Sequence, residues 1–128
     1  MKANINVIER TVPFEFGGKT YQLKMTWNVE AEIVEKYGDI PLIFDGGAAM
    51  KNMMDVLAML INEAVDIHNE ENQADEWGHV EARYLGRHMD HNDAERISKA
   101  ITEVVKNSRP QSDDEELTDD EKNEDPSR

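Results

Sequence analysis

The sequence predicts an α+β domain, an N-terminal β-hairpin packed on a small bundle of about four helices, and three observations lead there. Two alternating runs, Val12-Pro13-Phe14-Glu15-Phe16 and Lys19-Thr20-Tyr21-Gln22-Leu23, flank the pair Gly17-Gly18. From Asn28 onward the apolar residues switch to three- and four-residue spacing, the period of amphipathic helices. After Pro110 the only large apolar residue is Leu117, so the core-building pattern stops there.

The hairpin register follows from the glycines. A two-residue primed turn needs positive φ, which glycine adopts without strain, so Gly17-Gly18 sets Phe16 opposite Lys19, Phe14 opposite Tyr21 and Val12 opposite Leu23. One face is then apolar. Glu15, Thr20, Pro13 and Gln22 make the other, which faces solvent. Pro13 has no N–H to donate and places its strand at an edge. An isolated hairpin is marginal in water, so the helices must cover the Phe14, Tyr21 and Leu23 face.

Asn28 is read as the N-cap of a short helix, Val29 to Tyr37, ending at Gly38. Trp27, at the junction, is expected to anchor the core. Asp39 to Gly47, with Pro41 and Gly46-Gly47, reads as a loop whose Ile40, Leu42, Ile43 and Phe44 are too apolar to hang free. The strongest helix spans Ala48 to Asn69, its apolar face carrying Met50, Met53, Met54, Leu57, Leu60, Ile61, Ala64 and Val65. Glu70 to Glu76 is a polar break. A weaker helical run covers Val80 to His88, and a last helix, capped by Asn92 or Asp93, carries the stripe Ala94, Ile97, Ala100, Ile101, Val104 and Val105. The expected division is a compact domain over residues 1–107 and a disordered acidic tail over 108–128, where too little apolar surface exists to offset the entropy of ordering.

Composition narrows the function. The chain has 128 residues, 38% of them hydrophobic, a net charge of −14 and no cysteine. Nine acidic residues against three basic give the tail −6, while residues 1–107 hold nineteen against eleven, giving −8. With both parts acidic and no basic face in view, nucleic-acid binding is not expected. The absence of cysteine excludes disulfides, thiolate metal sites and cysteine nucleophiles and suits a reducing compartment. No apolar run has the length of a membrane span and no leader pattern opens the chain, so a soluble, cytosolic protein is expected.

Catalytic chemistry finds little support. There is no G-x-S-x-G, P-loop or G-x-G-x-x-G pattern, and both Gly-Gly pairs read as turns. His79, His88, His91, Asp90 and Asp93 are the one cluster of metal-ligand character. Yet HExxH spacing is missing, and Met89 to Asp93 reads as a turn with polar caps, so exposed histidines and a cap are the preferred reading and no metal or other cofactor is expected. The tail lacks the glycine and ligand spacing of a calcium loop and reads first as a solvated, solubilising segment. Met50, Met53 and Met54 read first as core, although flexible thioethers also suit a surface that re-packs on partners.

One resemblance adds to this. The pattern Phe14-x-Phe16-Gly17-Gly18-Lys19-x-Tyr21-x-Leu23-x-Met25-Thr26, followed by Asn28, Ala31, Glu32, a helix closing at Tyr37-Gly38 and further helices before a charged tail, resembles the tail assembly chaperones of long-tailed, siphovirus-like bacteriophages and prophages. It covers roughly residues 10 to 107. The resemblance implies a small non-enzymatic domain that coats the tape measure protein, recruits tail tube subunits in the host bacterial cytoplasm, and is absent from the finished virion. It also implies a homo-oligomer or a longer form made by ribosomal frameshifting; the codons GAA AAA AAC for Glu121-Lys122-Asn123 would contain a slippery string. No family motif assigns contact residues. On chemistry alone the expected partner surface is Leu42, Ile43 and Phe44 in the loop with Met50, Met53 and Met54 on the long helix. The competing readings are a structural tail completion or connector subunit and an acidic DNA mimic.

Overall fold

A computed structural model describes residues 10–108 of the chain. Strands β1 (Val12–Phe16) and β2 (Lys19–Leu23) form a two-stranded antiparallel hairpin with the expected register, Val12 opposite Leu23, Phe14 opposite Tyr21 and Phe16 opposite Lys19. Gly17 and Gly18 have φ of 62° and 82°, the double positive pair of a type I′ turn. Helix α1 (Trp27–Tyr37), a 3₁₀ segment (Ile40–Phe44), and helices α2 (Ala49–Glu71), α3 (Ala82–Arg87) and α4 (His91–Asn107) follow. The mixed hairpin-and-helices class is therefore the one the sequence predicted. The acidic tail beyond Ser108 lies outside the described residues.

Helix α2 is the spine. Val56, Leu57, Leu60, Ile61 and Val65 are fully enclosed, and around them pack β2, α3, α4, α1 and the 3₁₀ segment. The inward residues Phe14, Tyr21 and Leu23 of the hairpin, Val29 and Ile33 of α1, and Ile97, Ile101 and Val104 of α4 close the same core. Alternation and helical period meet on one set of side chains, which is why the hairpin holds here although it could not alone.

Four details depart from the sequence reading. The cap of α1 is Thr26, not Asn28: its Oγ accepts the Val29 N–H at 3.2 Å and donates to the Glu63 carboxylate at 2.7 Å, tying the end of the hairpin to α2. Starting the helix there fixes its phase by Val29 and Ile33. Trp27, two residues before Val29 and so on the opposite side of the turn, is 89% exposed rather than a core anchor. Met25 takes the inward place. The loop after Gly38 is not irregular but winds into the 3₁₀ segment, capped by Asp39 on the Ile40 N–H at 2.8 Å. The cap of α4 is Asp90, in a capping box with Asp93, where Asn92 or Asp93 was expected. The Asp90 backbone N–H, the largest influence on Asp93, helps hold that carboxyl below the usual carboxylate range.

The polar break after α2 is braced by two amides. Asn62 accepts the Val80 N–H at 2.7 Å and donates to the Val80 carbonyl at 2.8 Å. Asn69, two turns on, accepts the Trp77 N–H at 2.8 Å and donates to its carbonyl at 3.0 Å. Each side chain thus supplies the donor and acceptor that a paired strand would, in a segment that pairs with neither strand of the hairpin. Trp77 is fixed further by stacking on His68 at 3.7 Å and by edge contact with Tyr21 at 5.6 Å.

Candidate functional site

The first turns of α2, the end of α3 and the start of α4 line a groove of about 360 Å³. Met50, Met53 and Met54 line one wall, Met89 the end, and Ala94 and Ile97 the other wall. Met50 is 58% exposed, while Met53 and Met54 are half-buried and Ile97 belongs to the core. The lining is therefore mostly thioethers and aliphatic groups, with Asp90 and His91 at its edge. Thioether side chains re-shape around an apolar guest at low cost, whereas branched residues would hold one shape. Met89 and Ile97 were not expected at this site, because they are 35 or more residues along the chain from Met54 and only the docking of α4 on α2 brings them there.

The second part of the expected surface divides. Leu42 and Phe44 stand 49% and 36% exposed, but Ile43 is completely buried. Ile43 is thus a core residue, and it holds the 3₁₀ segment down while its neighbours face outward. Leu42 lies over the end of α1, near Gly38. The exposed positions Trp27, Ala31 and Val34 share one side of α1 at spacings of four and three and lead toward Leu42. The spacing of this apolar row is visible in the sequence, but with Trp27 read as an inward residue it was not recognised as an exposed surface.

One residue after Met54, α2 is pinned to α1 by Asp55. Its carboxylate accepts from the Tyr37 hydroxyl at 2.8 Å and the Lys36 ammonium at 3.1 Å, with Lys51 at 3.5 Å. Burial pushes the Asp55 carboxyl up, but the hydrogen bonds and the two ammonium groups outweigh it and leave it below the usual range. The same arrangement drives the Tyr37 phenol well above its ordinary value, by burial first and then by the bond to Asp55.

The histidines disperse. His79 pairs with Asp66 at 2.7 Å, His88 leans on Tyr84 at 4.7 Å, and His91 opens α4 beside the methionine groove. Among the described residues no three histidine, aspartate or glutamate side chains are placed to hold a metal ion, and no helix is long and apolar enough to cross a membrane.

A basic face does exist, contrary to the sequence reading. Lys19 beside the hairpin turn, Arg83 and Arg87 on α3, and Arg96 on α4 line two adjoining clefts around Phe16 and Tyr84. Three elements, with residues up to 77 positions apart, contribute to it, which no linear charge run could reveal. No family model, curated protein or solved structure matches this chain.

Proposed function

We propose that this protein is a non-enzymatic tail assembly chaperone of a long-tailed bacteriophage or prophage, which holds helical segments of the tape measure protein in the methionine groove and recruits tail tube subunits to it. The observation that carries this reading is the groove itself. It is open, walled by Met50, Met53, Met54 and Met89, and set in an acidic body. An amphipathic helix laid in an apolar groove gives many weak, repeatable contacts, and like charge between chaperone copies limits their association before use. The pattern from Phe14 to Gly38 supports the family assignment, and the exposed Leu42 and Phe44 extend the apolar contact.

Co-expression with a tape measure protein tests the proposal. Met50→Glu together with Phe44→Ser should lower co-purification of that partner by about tenfold or more, while circular dichroism stays that of the parent chain, since both positions are exposed. Undiminished capture by the folded variant would sink the groove as the binding surface. Recovery of the chain from purified particles would instead identify a connector subunit.

A further inference from the structure

We infer that the acidic tail of this chain, centred on Glu115-Glu116-Leu117-Thr118-Asp119-Asp120, docks back onto the cationic, aromatic cleft between the hairpin turn and α3. The cleft has two adjoining parts of about 580 and 550 Å³ that share Phe16, Gly17, Lys19 and Tyr84. Phe16 and Tyr84 meet edge to face at 6.0 Å, and Tyr84 remains 46% exposed. Around this apolar centre stand Lys19, Arg83, Arg87 and Arg96. Among the described residues Lys19, Arg83 and Arg87 have no carboxylate within ion-pair distance, and Arg96 has only Asp93 at 3.4 Å. The carboxylates lining the cleft are Glu15 and Glu81. In a body whose charge is strongly negative, four cations gathered with so little neutralisation favour an anionic segment with an apolar residue at its middle.

The tail has that pattern. Leu117 is its one large apolar residue, with Asp113 to Glu116 before it and Asp119 to Glu121 after it. Geometry permits the return. Arg96 lies twelve residues before Ser108 on α4, about 18 Å along the axis, and α4 runs with its first turns beside the hairpin turn, where Arg96 donates to the Glu15 carbonyl at 2.9 Å. The acidic stretch begins five residues past Ser108 and ends thirteen past it, so it reaches up to about 45 Å from the helix end. Because it is tethered, it competes for the cleft at an effective concentration in about the millimolar range, which favours it over acidic surfaces of other copies.

The absence of cysteine permits a direct test in the full chain. A nitroxide on Thr118→Cys should broaden the amide signals of Gly17, Gly18, Lys19, Arg83 and Arg87 at about 20 mM salt, and the signals should recover at about 500 mM. Arg83→Glu with Arg87→Glu, both at exposed positions, should abolish the broadening. Replacing Asp113, Asp114, Glu115, Glu116, Asp119, Asp120 and Glu121 by their amides should abolish it too, with the fold untouched. Broadening spread evenly over the surface, or insensitive to salt and to both variants, would overturn the inference. So would broadening that appears only when labelled and isotope-enriched molecules are mixed, which would place the tail on a second copy. Binding of a single-stranded oligonucleotide to the cleft with the tail left free would overturn it as well.

Discussion

At Asp55 one carboxylate collects a phenol and two ammonium groups while its side chain is only 13% exposed, so its loss would take the acceptor from the half-buried Tyr37 hydroxyl, whereas the exposed Lys36 and Lys51 would return to water. Asp55→Ala should cost about 2 kcal/mol, the scale of removing one partner from a charge-assisted bond, and Tyr37→Phe should cost less because no ion is left unpaired. The pH dependence has a defined sign. The Asp55 carboxyl is held below its unfolded value, so its contribution is complete above about pH 4 and fades as pH falls through the depressed folded value. Tyr37 is raised, so its contribution is complete below about pH 10 and is lost above it. Urea midpoints of the parent chain and of Asp55→Ala, measured from pH 7 down to pH 3, should converge; parallel curves would mean that Asp55 is not the coupling group. Ile43 makes the contrasting case. Fully buried between exposed neighbours, it should lose about 2 to 4 kcal/mol on truncation to alanine, whereas Leu42→Ala should change stability by about 0.5 kcal/mol or less.

At the scale of elements, the two asparagine clamps predict how the segment between α2 and α3 holds its shape. Asn62→Asp keeps the acceptor for the Val80 N–H but turns the donor toward the Val80 carbonyl into an oxygen. It should therefore destabilise by about 1 to 2 kcal/mol and speed hydrogen exchange at Val80; unchanged exchange there would show that water replaces the clamp freely. The hairpin, α2 and the stripe of α4 were legible because period two, period 3.6 and the Gly-Gly turn each leave a local pattern that burial then follows. The clamps were not, since an asparagine on the polar side of a helix looks the same whether it faces solvent or a backbone segment eight to eighteen residues away. The caps failed for a related reason. Thr26 and Asn28 are both good caps by type, and only the inward phase of Val29 and Ile33 together with the Thr26 to Glu63 bond chooses between them. Of the candidate site, Met50, Met53 and Met54 were readable from composition, but the opposing wall required knowledge of how α4 crosses α2.

For the whole molecule the decisive fact is that every element closes on one core, with α2 at its centre. A hairpin of five-residue strands and a six-residue α3 cannot be stable by themselves, so their ordering depends on α2 remaining in place. Unfolding should then be a single cooperative transition rather than a loss of the hairpin followed by the helices. The two tryptophans make this measurable. Trp27 is 89% exposed and reports little, whereas Trp77 touches His68 of α2 and Tyr21 of β2 at once. In a Trp27→Phe background, Trp77 fluorescence follows the junction between hairpin and spine, while far-ultraviolet circular dichroism follows the helices. The two urea curves should superimpose. Leu60→Ala, in the middle of α2, should move both together by about 2 to 5 kcal/mol, because the cavity it leaves is shared by the elements packed there. A fluorescence transition that precedes the dichroism change would mean that the hairpin and the braced loop form a separate, weaker unit, and that the helices alone hold the methionine groove.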